Sequence, residues 1–274
     1  MRIARSRTVT TRAVVRALAG ACALLLAGAC SAGWQDARRQ TDECDAGDAA
    51  ACNALAERLE EGRHVLRDEA RAAALYERAC EGSVADACVS RALMLQEGRG
   101  VEVDSASAAR LYGLGCVGGA LHGCAQLAVL HRSGAGMPRG EARSLELFER
   151  ACAGADPLAC FYLGGLHLTG AGVPRDAHRA AALLEIACDG ERMDACDVLG
   201  GLHVTGTGVA ADPARAAELF ERACDAGEAA ACFHHSELYA AGTGVPRDFD
   251  RADELRRRAC AMGHSAACPP EEDA

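Results

Sequence analysis

Cys44-Asp45-Ala46-Gly47-Asp48-Ala49-Ala50-Ala51-Cys52 is the first of seven stretches in which two cysteines stand eight positions apart. The others are Cys80 with Cys88, Cys116 with Cys124, Cys152 with Cys160, Cys188 with Cys196, Cys224 with Cys232 and Cys260 with Cys268, and each pair starts 36 residues after the one before it. Seven pairs without a slip of register mean an array of near-identical repeats. Residues 159–188, ACFYLGGLHLTGAGVPRDAHRAAALLEIAC, show what one repeat contains. Leu163, Leu166 and His167 fall at helical i, i+3, i+4 spacing. Gly170-Ala171-Gly172-Val173-Pro174 then breaks that helix, because Gly suits the left-handed position after a helix and Pro cannot continue one. Asp176 is the N-cap candidate for a second helix that runs through Ala180, Leu183 and Leu184 to Ala187-Cys188, and Gly190 punctuates its exit.

The pattern holds by column. The first loop glycine is Gly62, Gly98, Gly134, Gly170, Gly206, Gly242; the cap is Asp68, Asp104, Asp176, Asp212, Asp248, with Gly140 as the exception. The second-helix leucine is Leu75, Leu111, Leu147, Leu183, Leu219, Leu255. Each repeat is therefore expected to be an antiparallel helix pair, and the pairs to stack into an all-α solenoid. Six repeats are expected at about 49–84, 85–120, 121–156, 157–192, 193–228 and 229–264, preceded by a half-repeat within 30–48 and closed by a stub, 265–274, that Pro269-Pro270 keeps from extending. The ends agree. Beside the column leucine, inner repeats carry Tyr76, Tyr112, Phe148, Leu184 and Phe220, whereas the last has Arg256 and the leading half-repeat has Arg39 and Gln40, as capping repeats require.

Hydrophobic residues make up 50 % of the chain but aromatics only 4 %, a mix that suits close helix packing better than strands. Residues 1–29 read as an export signal: Arg2, Arg5, Arg7, Arg12 and Arg16, then an apolar run from Ala17 to Ala29 too short to span a bilayer. The run ends in Leu26-Ala27-Gly28-Ala29-Cys30, which resembles a bacterial lipoprotein signal with Ala27 where that box usually has Leu. The resemblance implies that Cys30 is lipidated and becomes the first mature residue. The other reading is an ordinary cleaved signal with a free Cys30. With the five arginines of the leader set aside, 24 of the 29 basic residues remain against 39 acids, a formal charge of −15. Such a body argues against nucleic acid and anionic membrane as partners; membrane attachment would come from the lipid instead.

Without Cys22 and Cys30, the 16 cysteines leave 14, all paired by spacing, and export makes disulfides the default. Eight positions along one unbroken helix would separate Cα atoms by about 12 Å, whereas a disulfide needs roughly 5.5 Å. Each pair must therefore straddle a turn and tie a second helix to the first helix of the next repeat. Closing nine residues stabilises by about 2.6 kcal/mol in the chain-entropy account, and seven such rings by roughly 18 at most. Two other uses remain open: zinc ligation, which needs four converging ligands, and thiol redox, which lacks a Cys-x-x-Cys.

These columns resemble the Sel-one-like repeat, a relative of the tetratricopeptide repeat, through Ala159-Cys160, Leu163-Gly164, Gly170, Gly172-Val173, Asp176, Ala180, Leu183 and Ala187-Cys188. Departures are local: His64 replaces the second loop glycine, and Arg91-Ala92 and His235-Ser236 replace Leu-Gly. The paired cysteines point to the disulfide-stapled, exported bacterial branch. The resemblance implies a right-handed solenoid that binds proteins or peptides at the cell envelope, with outer-membrane sorting favoured by Ser31 or, alternatively, secretion as an effector. Some members of that branch carry a β-lactamase or penicillin-binding label. That chemistry needs a lysine, and the chain has none; no Gly-x-Ser-x-Gly or His-Glu-x-x-His is present either. No cofactor, catalytic residue or metal site is expected. His131, His167 and His203 share a column with Tyr239 and are read as packing residues, since neighbouring helices lie too far apart to share one ion.

The remaining candidate is a surface. On the first helix, the residue after the cysteine and those four and seven beyond it lie on one face: Asn53, Glu57, Glu60; Val89, Leu93, Gln96; Ala125, Val129, Arg132; Phe161, Gly165, Leu168; Asp197, Gly201, Val204; Phe233, Glu237, Ala240. These columns vary while the packing columns do not. The resemblance places this face on the concave side. Asn53, Gln96, Arg132, Phe161, Leu168, Phe233 and Glu237 are the candidate partner-binding residues, with Phe161 and Phe233 the largest apolar anchors unless they fill gaps between repeats.

Overall fold

A computed structural model describes residues 33–268. The expected export signal, Cys30 and Pro269-Pro270 lie outside the described residues. Every regular element among the described residues is helical: α1 (33–45), α2 (Ala49–Glu61), α3 (Glu69–Glu81), α4 (Ala85–Glu97), α5 (Ser105–Val117), α6 (Leu121–Ser133), α7 (Glu141–Ala153), α8 (Pro157–Thr169), α9 (Ala177–Asp189), α10 (Met193–Thr205), α11 (Pro213–Asp225), α12 (Ala229–Ala241), α13 (Phe249–Ala261) and a closing 3₁₀ turn, Ser265–Ala267. The chain is an all-α solenoid of stacked helix pairs with a 36-residue period. It divides into two compact parts that meet in sequence at Leu111 and Tyr112. In the first, α3 packs on both α2 and α4. In the second, the pairs α6/α7, α8/α9, α10/α11 and α12/α13 pack internally, and α7, α9 and α11 each pack on the following helix.

The capping chemistry sets where each second helix begins. Asp68, Asp176, Asp212 and Asp248 accept the backbone N–H of the residue three positions on, each at 3.0 Å. Asp104 accepts from Ala106 and Ser107, and the Ser107 backbone N–H leads the contacts that hold its carboxyl below the usual value. Gly140 supplies no side-chain cap, as its composition dictates. The column glycines that end the first helices, Gly62 through Gly242, have φ between 70° and 78°, the left-handed geometry expected of them. Tyr76, Phe148, Leu184 and Phe220 are buried, while Arg39 and Arg256 at the ends are exposed.

All seven cysteine pairs are disulfides. Cys44 is bonded to Cys52, Cys80 to Cys88, Cys116 to Cys124, Cys152 to Cys160, Cys188 to Cys196, Cys224 to Cys232 and Cys260 to Cys268, with Cα separations of 4.6–4.8 Å. Six of them join the last turn of one helix to the first turn of the helix that follows, across a three-residue connection. The seventh differs from the general expectation, because Cys268 follows the closing 3₁₀ turn and so ties α13 to the C-terminal stub rather than to another repeat. With the sulfurs bonded in pairs, zinc ligation by these cysteines is closed off. The exit turns differ from expectation in one respect. Gly190 has φ −78°, and the left-handed residue is the next one, Glu191 at 64°, in the column of Gly47, Ser83, Gly119, Ala155, Gly227 and Gly263. Gly190 is needed for room instead: a Cβ there would come within 2.4 Å of Pro157.

Two features link one repeat to the next. Arg78, Arg150, Arg222 and Arg258, each two positions before a cysteine, donate to the carbonyls of Cys44, Cys116, Cys188 and Cys224. Leu114 and Ile186 take that column in the other two repeats, and both are exposed. The second loop glycines Gly100, Gly208 and Gly244 press against the backbone at Glu69, Ala177 and Pro213, the first residue of the preceding second helix, so closely that a Cβ would fall within 2.4 Å. At the N-terminal end the roles are exchanged. The loop carries His64, and the helix start it touches is Gly33, where a Cβ would meet the imidazole ring at 2.5 Å. This exchange accounts for the departure of His64 from its column.

Candidate partner-binding surface

The varying columns of the first helices fall at the same positions within each 13-residue helix. In the C-terminal part, α10 and α12 touch directly, as do α6 and α8. Between α10 and α12 lies an open cleft of about 480 Å³. Gly201 and Val204 of α10 and Leu238 and Ala241 of α12 line it, with Phe220 of α11 and Val198 as apolar floor. Gly201 has no atom within 4 Å of where its Cβ would stand, so the cleft exists because the side chain is missing. Asp197, Glu237 and His234 supply its polar edge. Among the described residues, no arginine lines it.

His234 and Asp197 are bound to one another. The His234 Nδ1–H donates to Asp197 Oδ1 at 2.7 Å, and this bond, more than the neighbouring negative charge of Asp197 and Glu237, raises the imidazole above its usual value despite partial burial. A related pair, His122 and Asp156 at 3.1 Å, sits where α6 meets the start of α8. His235, adjacent to His234 but buried against the Tyr239 ring at 5.0 Å, is lowered by burial. The sequence columns included Asp197 and Glu237 but passed over His234. The 37-residue spacing of His234 from Asp197, one period plus one, was the available signal.

The predicted anchors are placed differently. Phe161 is half-buried, edge-on to Tyr162 and beneath the Arg192 guanidinium at 4.8 Å. Phe233 is half-buried against His264 at 4.9 Å and lines a separate cleft at the C-terminal end, beside the Cys260–Cys268 bridge. Arg192 and His264 both cap the helix that follows, 31 positions after their phenylalanine. Phe161 therefore packs at the entry to α10, and Phe233 at the entry to the closing 3₁₀ turn. Arg132 is exposed, with its guanidinium 5.6 Å from the Tyr162 ring centroid. Leu168 and Gln96 are half-buried and Glu237 is exposed. Asn53 donates to Glu57 at 2.8 Å, while its amide oxygen is buried without a partner. Nearby, Tyr76 and Arg99 converge on Glu60. Burial pushes the Glu60 carboxyl up, but the two hydrogen bonds outweigh it and hold the carboxyl low.

Of the histidine column, His167 is buried and its Nδ1 lies 3.2 Å from the Pro174 carbonyl, whereas Nδ1 of His131 and His203 has no partner. They are packed residues, but incompletely satisfied ones. No group of three or more His, Cys, Asp or Glu among the described residues is placed to hold a metal ion. No described helix is long and apolar enough to cross a membrane.

The Sel1 repeat family matches residues 49–84, 85–116, 121–156, 157–191, 194–228 and 229–264. The chain is a Sel1-repeat protein. Its repeats form a scaffold of the kind that mediates protein–protein interaction. Solved structures share the fold. A Sel1 repeat protein from Oxalobacter formigenes is 22 % identical with a TM-score of 0.72, over 79 % of this chain and 89 % of that one. A protective antigen of uropathogenic Escherichia coli strains, displaying the same repeat fold, is 24 % identical with a TM-score of 0.71, over 84 % of this chain and 50 % of that one. This Sel1-repeat protein thus spans half the antigen's length. The immunity protein PA5088 of Pseudomonas aeruginosa is 20 % identical with a TM-score of 0.54, over 79 % of this chain and 82 % of that one. No curated protein matches the chain.

Proposed function

We propose that this Sel1-repeat protein is exported, anchored to the cell envelope through a lipid on Cys30, and holds a partner protein or peptide along the face formed by its first helices. The observation that carries the binding face is the cleft between α10 and α12, open at Gly201, floored by Phe220 and Leu238, and edged by Asp197 and Glu237. An apolar floor with a few placed polar groups is the ordinary make-up of a recognition site. Export accords with seven disulfides, which persist in oxidising compartments. Phe161 and Phe233, both half-buried, lie outside this cleft and belong to the wider proposed face.

Gly201→Trp places a ring into the cleft from a position where a Cβ meets no atom within 4 Å. Capture of partner proteins from envelope extract by the wild type and loss of specific bands with Gly201→Trp is the expected result. Capture unchanged by Gly201→Trp would move the site elsewhere. Palmitate labelling of the wild type but not of Cys30→Ser tests the anchor. Recovery of the wild type from the medium, unlabelled, would favour the secreted reading instead.

A further inference from the structure

Trp34 and Leu66 are 59 % and 86 % exposed, and both border a cleft of about 950 Å³ at the N-terminal end, floored by Leu55, Leu59 and Val65. The rest of the array shows that these two positions do not need large apolar groups. The Trp34 column continues as Ala70, Ala106, Ala142, His178, Ala214, Asp250, and the Leu66 column as Glu102, Pro138, Pro174, Ala210, Pro246. Packing within the fold therefore explains neither residue.

From this we infer that Trp34 and Leu66 form a docking surface for the phospholipid bilayer, seating the N-terminal end of the array on the membrane. The inference rests on the reading of Cys30 as the anchor. Three residue steps separate Cys30 from Gly33, a reach of about 10 Å at full extension. A lipid on Cys30 would bring α1 and the loop carrying Leu66 to the headgroups. Tryptophan, with an apolar body and one N–H, is suited to that interface. Arg38 and Arg71 line the same cleft and form no ion pair with another described residue, although Asp42 and Asp68 lie beside them. Without the leader the chain carries −15, so anionic lipid repels the body, and the cleft lined by Arg38, Arg67 and Arg71 against Asp42 and Asp68 is the side left to present. A second apolar contact would also reinforce an acyl anchor.

Trp34 is the single tryptophan, so its emission reports on this surface alone. The test uses the chain from Ser31 onward with an N-terminal hexahistidine, tethered to vesicles of phosphatidylethanolamine, phosphatidylglycerol and a nickel-chelating lipid. The tether replaces the acyl group, so failure of lipidation at Cys30 leaves this experiment untouched. Expected are a shift of Trp34 emission to shorter wavelength and quenching by brominated acyl chains. Leu66→Asp should lower the docked-to-free ratio roughly tenfold, as loss of one buried leucine implies. Emission identical with and without vesicles overturns the inference. So does quenching that survives Leu66→Asp, or a vesicle-free shift that grows with protein concentration, which would assign the surface to a second copy of the chain.

Discussion

Gly208 and His64 share a column and use opposite means to make the same joint. Gly208, at φ 74°, lets its loop press on the carbonyl of Ala177, where a Cβ would stand 2.1 Å away. Gly208→Ala therefore meets both left-handed strain and an immovable backbone. A loss of about 2 kcal/mol or more in urea unfolding is expected. His64 tolerates its place because Gly33 has taken over the role of the small partner. That exchange was illegible in the sequence, since the 36-residue register aligns His64 with glycines but says nothing of what they touch. The neighbouring histidines make a second case. Both have an ordinary value of 6.5, and the structure splits them, raising His234 through Asp197 and lowering His235 through burial. The bond to Asp197 stabilises the fold fully below 6.5 and is lost as pH rises through the raised value of His234. The contribution of neutral His235 is present above 6.5 and lost as pH falls. Imidazole resonances followed by NMR should show His234 titrating above His235, with the gap narrowed in Asp197→Asn.

At the level of elements, most of the design could be read in advance. The period located the helix pairs, and Asp176 and its column fixed the start of the second helices within a residue. Gly62 and its column fixed the end of the first helices. What escaped were contacts between elements that lack a local signature. The arginine two positions before the cysteine reads as one more surface charge, yet it reaches the carbonyl of the cysteine one period back. The repeats bearing Leu114 and Ile186 do without it. Ile186→Arg should supply the missing bond to the Cys152 carbonyl and add up to about 1 kcal/mol, and Arg222→Leu should cost a similar amount. Chemical denaturation of the two variants checks both signs. In the sequence the candidate columns read as one helix face, and nothing there signalled the cleft between α10 and α12. Phe161 and Phe233 looked like anchors because side-chain size is visible in sequence, whereas the opening at Gly201 is made by an absent side chain.

For the molecule as a whole, the disulfides decide how firmly the helices stay stacked. Each bridge contributes about 2.6 kcal/mol in the chain-entropy account, and a typical domain is stable by only about 5–15 kcal/mol in all. Cys188→Ala with Cys196→Ala should lower unfolding stability by about 2–3 kcal/mol, and full reduction should move the thermal midpoint down steeply. Circular dichroism with and without reductant measures it; an unchanged midpoint would mean that the helix stacking holds without the bridges. The bridges also share one property with consequences for assembly. Among the described residues no cysteine sulfur has to find a partner far along the chain, because each ring closes over a sequence separation of 8, from Cys44 with Cys52 to Cys260 with Cys268. Under the proposed export, bonds would be made in order as each short segment emerges, before the next pair has followed. A protein built this way has little opportunity to mispair, and its maturation should place small demand on an isomerase that shuffles wrong bonds.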